Sequence, residues 1–174
     1  MSKISPCLWF TAEAEEAANF YVSLLPNSRI DRVQKNVTDG PAGKAGTVLV
    51  VDFTLAGESF LALNGGTRAE YTHAISFSVD CSDQTEVDRL WAALSKGGSI
   101  QQCGWLRDRY GVSWQIVPTV LKDLLTDPDP AKSGRVMQAM LQMVKLDIAA
   151  LREAHYGTGP HAWSSADISP NRIS

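Results

Sequence analysis

The chain has 174 residues, 16 Lys and Arg against 19 Asp and Glu, a net charge of −3, and hydrophobic and charged fractions of 44% and 20%. Those proportions are those of a globular protein long enough to bury a real core. With Lys and Arg scattered, no basic stripe neutralises phosphates, which argues against nucleic acid as a partner. No apolar run approaches the ~20 residues of a membrane span, so no membrane is expected either. The opening Met1-Ser2-Lys3-Ile4-Ser5-Pro6 lacks a hydrophobic stretch of signal-peptide length, and the expected compartment is the cytoplasm. Cys7, Cys81 and Cys103 are widely spaced and odd in number, which reads as reduced, buried thiols.

The first unit begins with a strand, about Ile4 to Phe10, followed by a helix with Ala14, Ala17, Ala18, Tyr21, Leu24 and Leu25 on one face. Pro26-Asn27 ends that helix. Ser28 to Asn36 reads as an exposed strand and Thr38 to Gly46 as a loop. Thr47 to Leu55 and Ser59 to Asn64 are strands joined through Ala56-Gly57-Glu58 and closed by Gly65-Gly66.

The same order repeats about 70 residues later. Ala74 to Cys81 alternates Ile75, Phe77 and Val79 against Ala74, Ser76 and Ser78. Asp83 with Glu86 has capping-box spacing. Val87, Leu90, Trp91 and Leu94 give a helix face stopped by Gly97-Gly98, and Ser99 to Leu106 and Val112 to Pro118 supply further strands. A unit repeated in this way predicts a pseudo-symmetric domain with a cleft.

Past Pro118 the pattern becomes helical. Asp127-Pro128 and Asp129-Pro130 each set an N-cap before a proline, and Val136, Met137, Met140, Leu141 and Val144 form a stripe suited to core or dimer packing. Asp147 caps a last helix with Ile148 and Leu151 inward. From Gly157 the sequence is polar and reads as a flexible tail.

Four segments, Ser5-Pro6-Cys7-Leu8-Trp9-Phe10, Glu15-Glu16-Ala17-Ala18-Asn19-Phe20-Tyr21, Phe60-Leu61-Ala62-Leu63-Asn64-Gly65-Gly66 and Asp108-Arg109-Tyr110-Gly111-Val112-Ser113-Trp114-Gln115, fall in one order over about residues 3 to 155. Together they resemble the vicinal oxygen chelate superfamily, which includes glyoxalase I, extradiol dioxygenases and bleomycin-resistance proteins, and within it the PhnB-like branch. Sequences of that branch often carry a 3-demethylubiquinone-9 3-methyltransferase domain name. The resemblance implies an α+β fold of two βαβββ modules, residues 3–66 and 74–118, forming a cup-shaped mixed sheet. A helical extension over 119–156 and a tail over 157–174 complete it.

The resemblance also implies where metal-using relatives place their four ligands. Carried over, those positions land near Pro6, in Phe60 to Asn64 where only Asn64 is polar, on Ala74, and on Gln115. His73 stands one residue from the third position, and one step along a strand reverses the face unless a bulge restores it. One or two neutral amides do not supply the three charged or imidazole ligands of a catalytic cation. The expectation is no metal, no cofactor and no family-type catalytic residue. His155 and His161 read as surface residues.

If Gln115 faces the cup, Ser113 and Val117 lie beside it while Trp114 and Ile116 pack behind against a helix. Ser76 and Ser78, Leu8 and Phe10, Asn64, and Trp105 near the mouth complete the candidate ligand-binding set. These side chains either line a cavity or fill the interior and satisfy one another, and four polar residues in a dry interior favour the cavity. Arg107, Asp108, Arg109 and Tyr110 read as an exposed turn. The function expected is metal-independent binding of a small molecule by a homodimer. The alternatives are a metal-dependent lyase or dioxygenase, the methyltransferase of the domain name, and a dimeric interaction module without ligand.

Overall fold

A computed structural model describes residues 3–158, and the expected tail lies outside them but for Gly157 and Thr158. The chain divides into two compact units between Tyr71 and Thr72. Each carries its own four-stranded mixed sheet, and each sheet follows the βαβββ order.

In the first unit β1 (Cys7–Phe10), α1 (Ala14–Val22), β2 (Arg29–Lys35), β3 (Val48–Leu55) and β4 (Glu58–Asn64) give the sheet order β1-β4-β3-β2. Strand β1 is shorter than expected, and Cys7 is exposed rather than part of a core. Alternation decides what the sheet buries. Leu8, Phe10, Val51, Phe53, Leu55, Phe60 and Ala62 are buried together with Ala14, Ala17, Ala18 and Tyr21 of α1. Phe53 stacks on Phe60, its register partner, at 5.3 Å and on Tyr21 of α1 at 6.5 Å.

The second unit contains β5 (Phe77–Cys81), α2 (Gln84–Ser95), β6 (Ser99–Ile100), β7 (Trp105–Arg107) and β8 (Ser113–Pro118), ordered β5-β8-β7-β6. The segment expected as one strand from Ser99 is broken at Cys103, which takes a left-handed φ of 58°, so β6 and β7 form a hairpin. Strand β5 starts three residues later than expected. Ala74 sits in a turn, and Ile75 is 78% exposed rather than packed. Asp83 accepts the Glu86 amide at 2.9 Å, and the Glu86 carboxylate accepts the Ser82 amide at 2.8 Å, so the predicted cap forms one residue out of register. Val87, Leu90 and Leu94 of α2 are buried, as are Cys81, Leu106, Trp114 and Ile116 of the sheet.

Three further helices follow in the same unit, α3 (Val120–Leu125), α4 (Pro130–Gln142) and α5 (Ile148–Tyr156). Leu121, Leu124, Val136, Leu146 and Leu151 make their core, with Val117 of β8 packed against it. Only one of the two Asp-Pro pairs caps a helix. Asp129 accepts the Ala131 amide at 2.9 Å, whereas Asp127 accepts Asp129 N and the His155 ring, both at 2.8 Å. His155 is 9% exposed and not a surface residue, while His161 lies outside the described residues. The methionine stripe splits: Val136 is buried, but Met137, Leu141 and Val144 stay exposed. Among the described residues no helix is long and apolar enough to cross a membrane.

Candidate functional site

The two sheets treat their polar positions differently. In the first, Asn64 Oδ1 accepts the Ala14 amide at 2.8 Å and its Nδ2 donates to the Val48 carbonyl at 3.0 Å. Helix α1 has no cap of its own, since the Glu13 side chain makes no capping bond, and Asn64 supplies that acceptor from a distant strand. Leu8 and Phe10 pair in register with Ala62 and Asn64 and are 5% and 4% exposed. All three candidates of this unit lie on the face that α1 covers. The placement differs from the expected lining of a hollow, because strand alternation puts Cys7, Trp9, Leu61 and Leu63 on the other face.

In the second sheet the candidates come together. Ser78, Gln115 and Trp105 are cross-strand partners, Gln115 pairing with both of the others. Ser113 sits two residues before Gln115 and pairs with Arg107, so Arg107 shares this face as well. Ser76 stands just before β5, and its hydroxyl accepts from Gln115 Nε2 at 2.9 Å. The other end of the Gln115 amide has no partner among the described residues. Trp114 and Ile116 point the opposite way, towards the buried residues of α2.

The charged turn is not the exposed hairpin expected of it. Asp108 is 3% exposed. Its carboxylate accepts the amides of Tyr110 at 2.8 Å and Val112 at 3.0 Å, and the Trp114 indole N–H at 2.9 Å. A buried tryptophan needs an acceptor for its N–H, and that need was the sequence signal for burying Asp108. Arg109 donates to the Tyr110 hydroxyl at 2.8 Å and lies over its ring.

Sequence reasoning also missed Arg107. Its Nε and the Ser113 Oγ are both buried without a hydrogen-bond partner. Alternation from Trp105 would have found it. Its backbone is fixed by close approach, since a Cβ on Gly98 would stand 2.0 Å from the Arg107 carbonyl oxygen.

The donor sets bear on a cation of the superfamily type. On β4 the face away from α1 offers Leu61 and Leu63, which have no ligating atom, and on β8 the corresponding face offers the neutral Gln115. Asp52 is held by Arg32 at 2.5 Å and Asp80 by Lys122 at 2.6 Å. Among the described residues no three His, Cys, Asp or Glu side chains gather where they could hold a metal ion. At these positions the described residues do not fit a divalent cation.

The family described as 3-demethylubiquinone-9 3-methyltransferase matches residues 2–117. Among solved structures, the PhnB protein from Bacillus cereus is 36% identical with a TM-score of 0.62, over 68% of this chain and 100% of that one. A protein from Pseudomonas aeruginosa is 20% identical with a TM-score of 0.57, over 68% of this chain and 98% of that one. A glyoxalase/bleomycin resistance protein from Albidiferax ferrireducens is 18% identical with a TM-score of 0.41, over 65% of this chain and 95% of that one. No curated protein matches the chain. With two thirds of its length matched to the family, and doubled βαβββ units to go with it, the chain belongs to the PhnB-like, 3-demethylubiquinone-9 3-methyltransferase family.

Proposed function

We propose that this chain is a metal-independent small-molecule-binding protein whose ligand rests on the face of the second sheet turned away from α2. The observation that carries the reading is the cross-strand row Ser78, Gln115 and Trp105, in which one end of the Gln115 amide is uncommitted. A half-buried amide beside an indole is the mix of one directional polar group and apolar surface that small ligands use. Ser76, Ser78 and Ser113 add hydroxyls on the same face. Leu8, Phe10 and Asn64 act in this reading as the core beneath α1. Native mass spectrometry of the purified chain is expected to show a co-purifying small molecule that Gln115→Ala releases. Elemental analysis of protein purified without a metal-binding tag is expected to find no stoichiometric metal, and a full equivalent would overturn the metal-independent reading.

The family name refers to methyl transfer. A doubly wound nucleotide-type site needs a glycine-rich turn between first strand and helix, but here that turn is Thr11-Ala12-Glu13. Strands β2, β3 and β4 are antiparallel neighbours rather than a parallel series. Titration calorimetry with S-adenosylmethionine is expected to give no binding heat.

We further propose a cytoplasmic homodimer. The free thiols Cys7, Cys81 and Cys103 suit a reducing compartment. Exposed Met137, Leu141 and Val144 offer an apolar strip to cover. A monomer by light scattering at micromolar concentration would sink the dimer.

A further inference from the structure

We propose that Arg107 and Ser113 form a carboxylate-binding subsite, and that the ligand is a small planar carboxylic acid whose ring lies on Trp105. The inference rests on the small-molecule reading above and names the chemistry of that ligand. It starts from two orphaned donors. Arg107 Nε and Ser113 Oγ are buried, lack partners, and belong to residues paired across β7 and β8. Ser113 is 3% exposed. Burying one donor without an acceptor is costly, and a donor on a cation more so. Two such donors side by side on one sheet face describe a place for oxygen atoms carried by something else.

The neighbouring charges are already committed. Asp108 accepts from Tyr110, Val112 and Trp114, and Asp80 pairs with Lys122. Arg107 makes no ion pair among the described residues. The Nε edge of a guanidinium presents two parallel N–H groups, whose spacing matches the two oxygens of a carboxylate. The Ser113 hydroxyl then donates to one of the same oxygens. Along β7, Trp105 is the next residue on this face, and same-face neighbours on a strand stand about 7 Å apart. That distance is comparable to the long axis of benzoate. A flat ring held at Arg107 thus reaches the indole, and Gln115, opposite Trp105 in register, offers the free end of its amide to a polar group on the ring.

The test uses the full chain and three probes, benzoate, benzamide and acetate, followed by titration calorimetry and tryptophan fluorescence. Benzoate is expected to bind at least about tenfold more tightly than benzamide or acetate. Arg107→Gln should weaken benzoate about tenfold and leave benzamide unchanged, and Ser113→Ala should weaken benzoate about threefold. Arg107→Lys keeps the charge and loses the paired edge, and should fall between wild type and Arg107→Gln. Benzoate should quench fluorescence in the wild type and not in Trp105→Phe. Equal affinity for benzoate and benzamide, or benzoate binding indifferent to Arg107→Gln and Arg107→Lys, overturns the subsite while the small-molecule reading stands. No benzoate binding at millimolar concentration also overturns it, whatever ligand co-purifies. Failure of all three probes together with no co-purifying molecule overturns both.

Discussion

The two modules are built in the same element order, yet each puts its strand amide on the opposite face. Asn64 of the first lies under α1, with one end of its amide bonded to Ala14 and the other to Val48. Gln115 of the second lies away from α2, bonded at one end to Ser76 and uncommitted at the other. The first amide completes a helix and the second is left available. A polar residue between apolar neighbours on a strand thus means two different things. The difference is decided by which side of the pleat the helix occupies.

The comparison can be broken at several points. The largest effect is expected from Asp108→Ala, which removes the carboxylate that accepts from the Trp114 indole and from two backbone amides. A loss of about 3–5 kcal/mol of stability should follow, read by urea unfolding. A cost under about 1 kcal/mol would mean the turn is not a keystone of the second module. Asn64→Ala should cost about 2 kcal/mol through its two backbone bonds while leaving any ligand binding intact. Gln115→Ala should do the reverse, costing less than about 1 kcal/mol and abolishing binding. If the two variants behaved alike, the contrast between the modules would be lost.

Cysteine chemistry sharpens the same contrast more gently. Burial, with the nearby Glu86 and Asp80 carboxylates, pushes the Cys81 thiol up to about 12. Because the folded form favours the protonated thiol, the stability this contributes is fully present below the ordinary value of 9.0 and is lost as pH climbs towards about 12. Alkylation of the native chain at pH 8 should label exposed Cys7 first and Cys81 last, and fast labelling of Cys81 would mean the second core opens readily.

The smallest effect should come from Asp127 in the helical extension. The Asp129 amide and the His155 ring hold its carboxyl below the usual range. Its contribution is therefore present above the ordinary carboxylate pKa and fades as pH falls through the lowered one. Asp127→Asn should flatten the acid limb of a stability-versus-pH curve slightly, and an unchanged limb would remove this residue from the account.

Much of the architecture was legible in the residues. Alternation along β8 assigned Trp114 and Ile116 to one side and Ser113, Gln115 and Val117 to the other, because a strand has only two faces and the aromatic needs the core. It failed on β1 and β4, where both faces read as apolar. Leu8 and Phe10 are no more hydrophobic than Cys7 and Trp9 beside them, and Asn64 is a lone polar residue ending an apolar run, so only the position of α1 could assign them. Cys103 broke a predicted strand because a left-handed turn at a non-glycine residue leaves no mark in composition. Asp108 and Arg107 looked like surface charges. The need of Trp114 for an acceptor and alternation from Trp105 hinted otherwise, and pairing across β7 and β8, a non-local fact, names the partners: one is spent on the indole and the other lies opposite Ser113.

The carbonyls of Met143 and Val144, both 2.8 Å from their donors, accept the amides of Cys103 and Gly104 just before β7. These acceptors come from well past residue 117, where the family match stops. Chain inside the family match is thus stitched, main chain to main chain, to chain beyond it. A fragment cut at the family boundary would strip those two amides of their acceptors and uncover Val117. As a physical object the domain is longer than the pattern by which it is recognised.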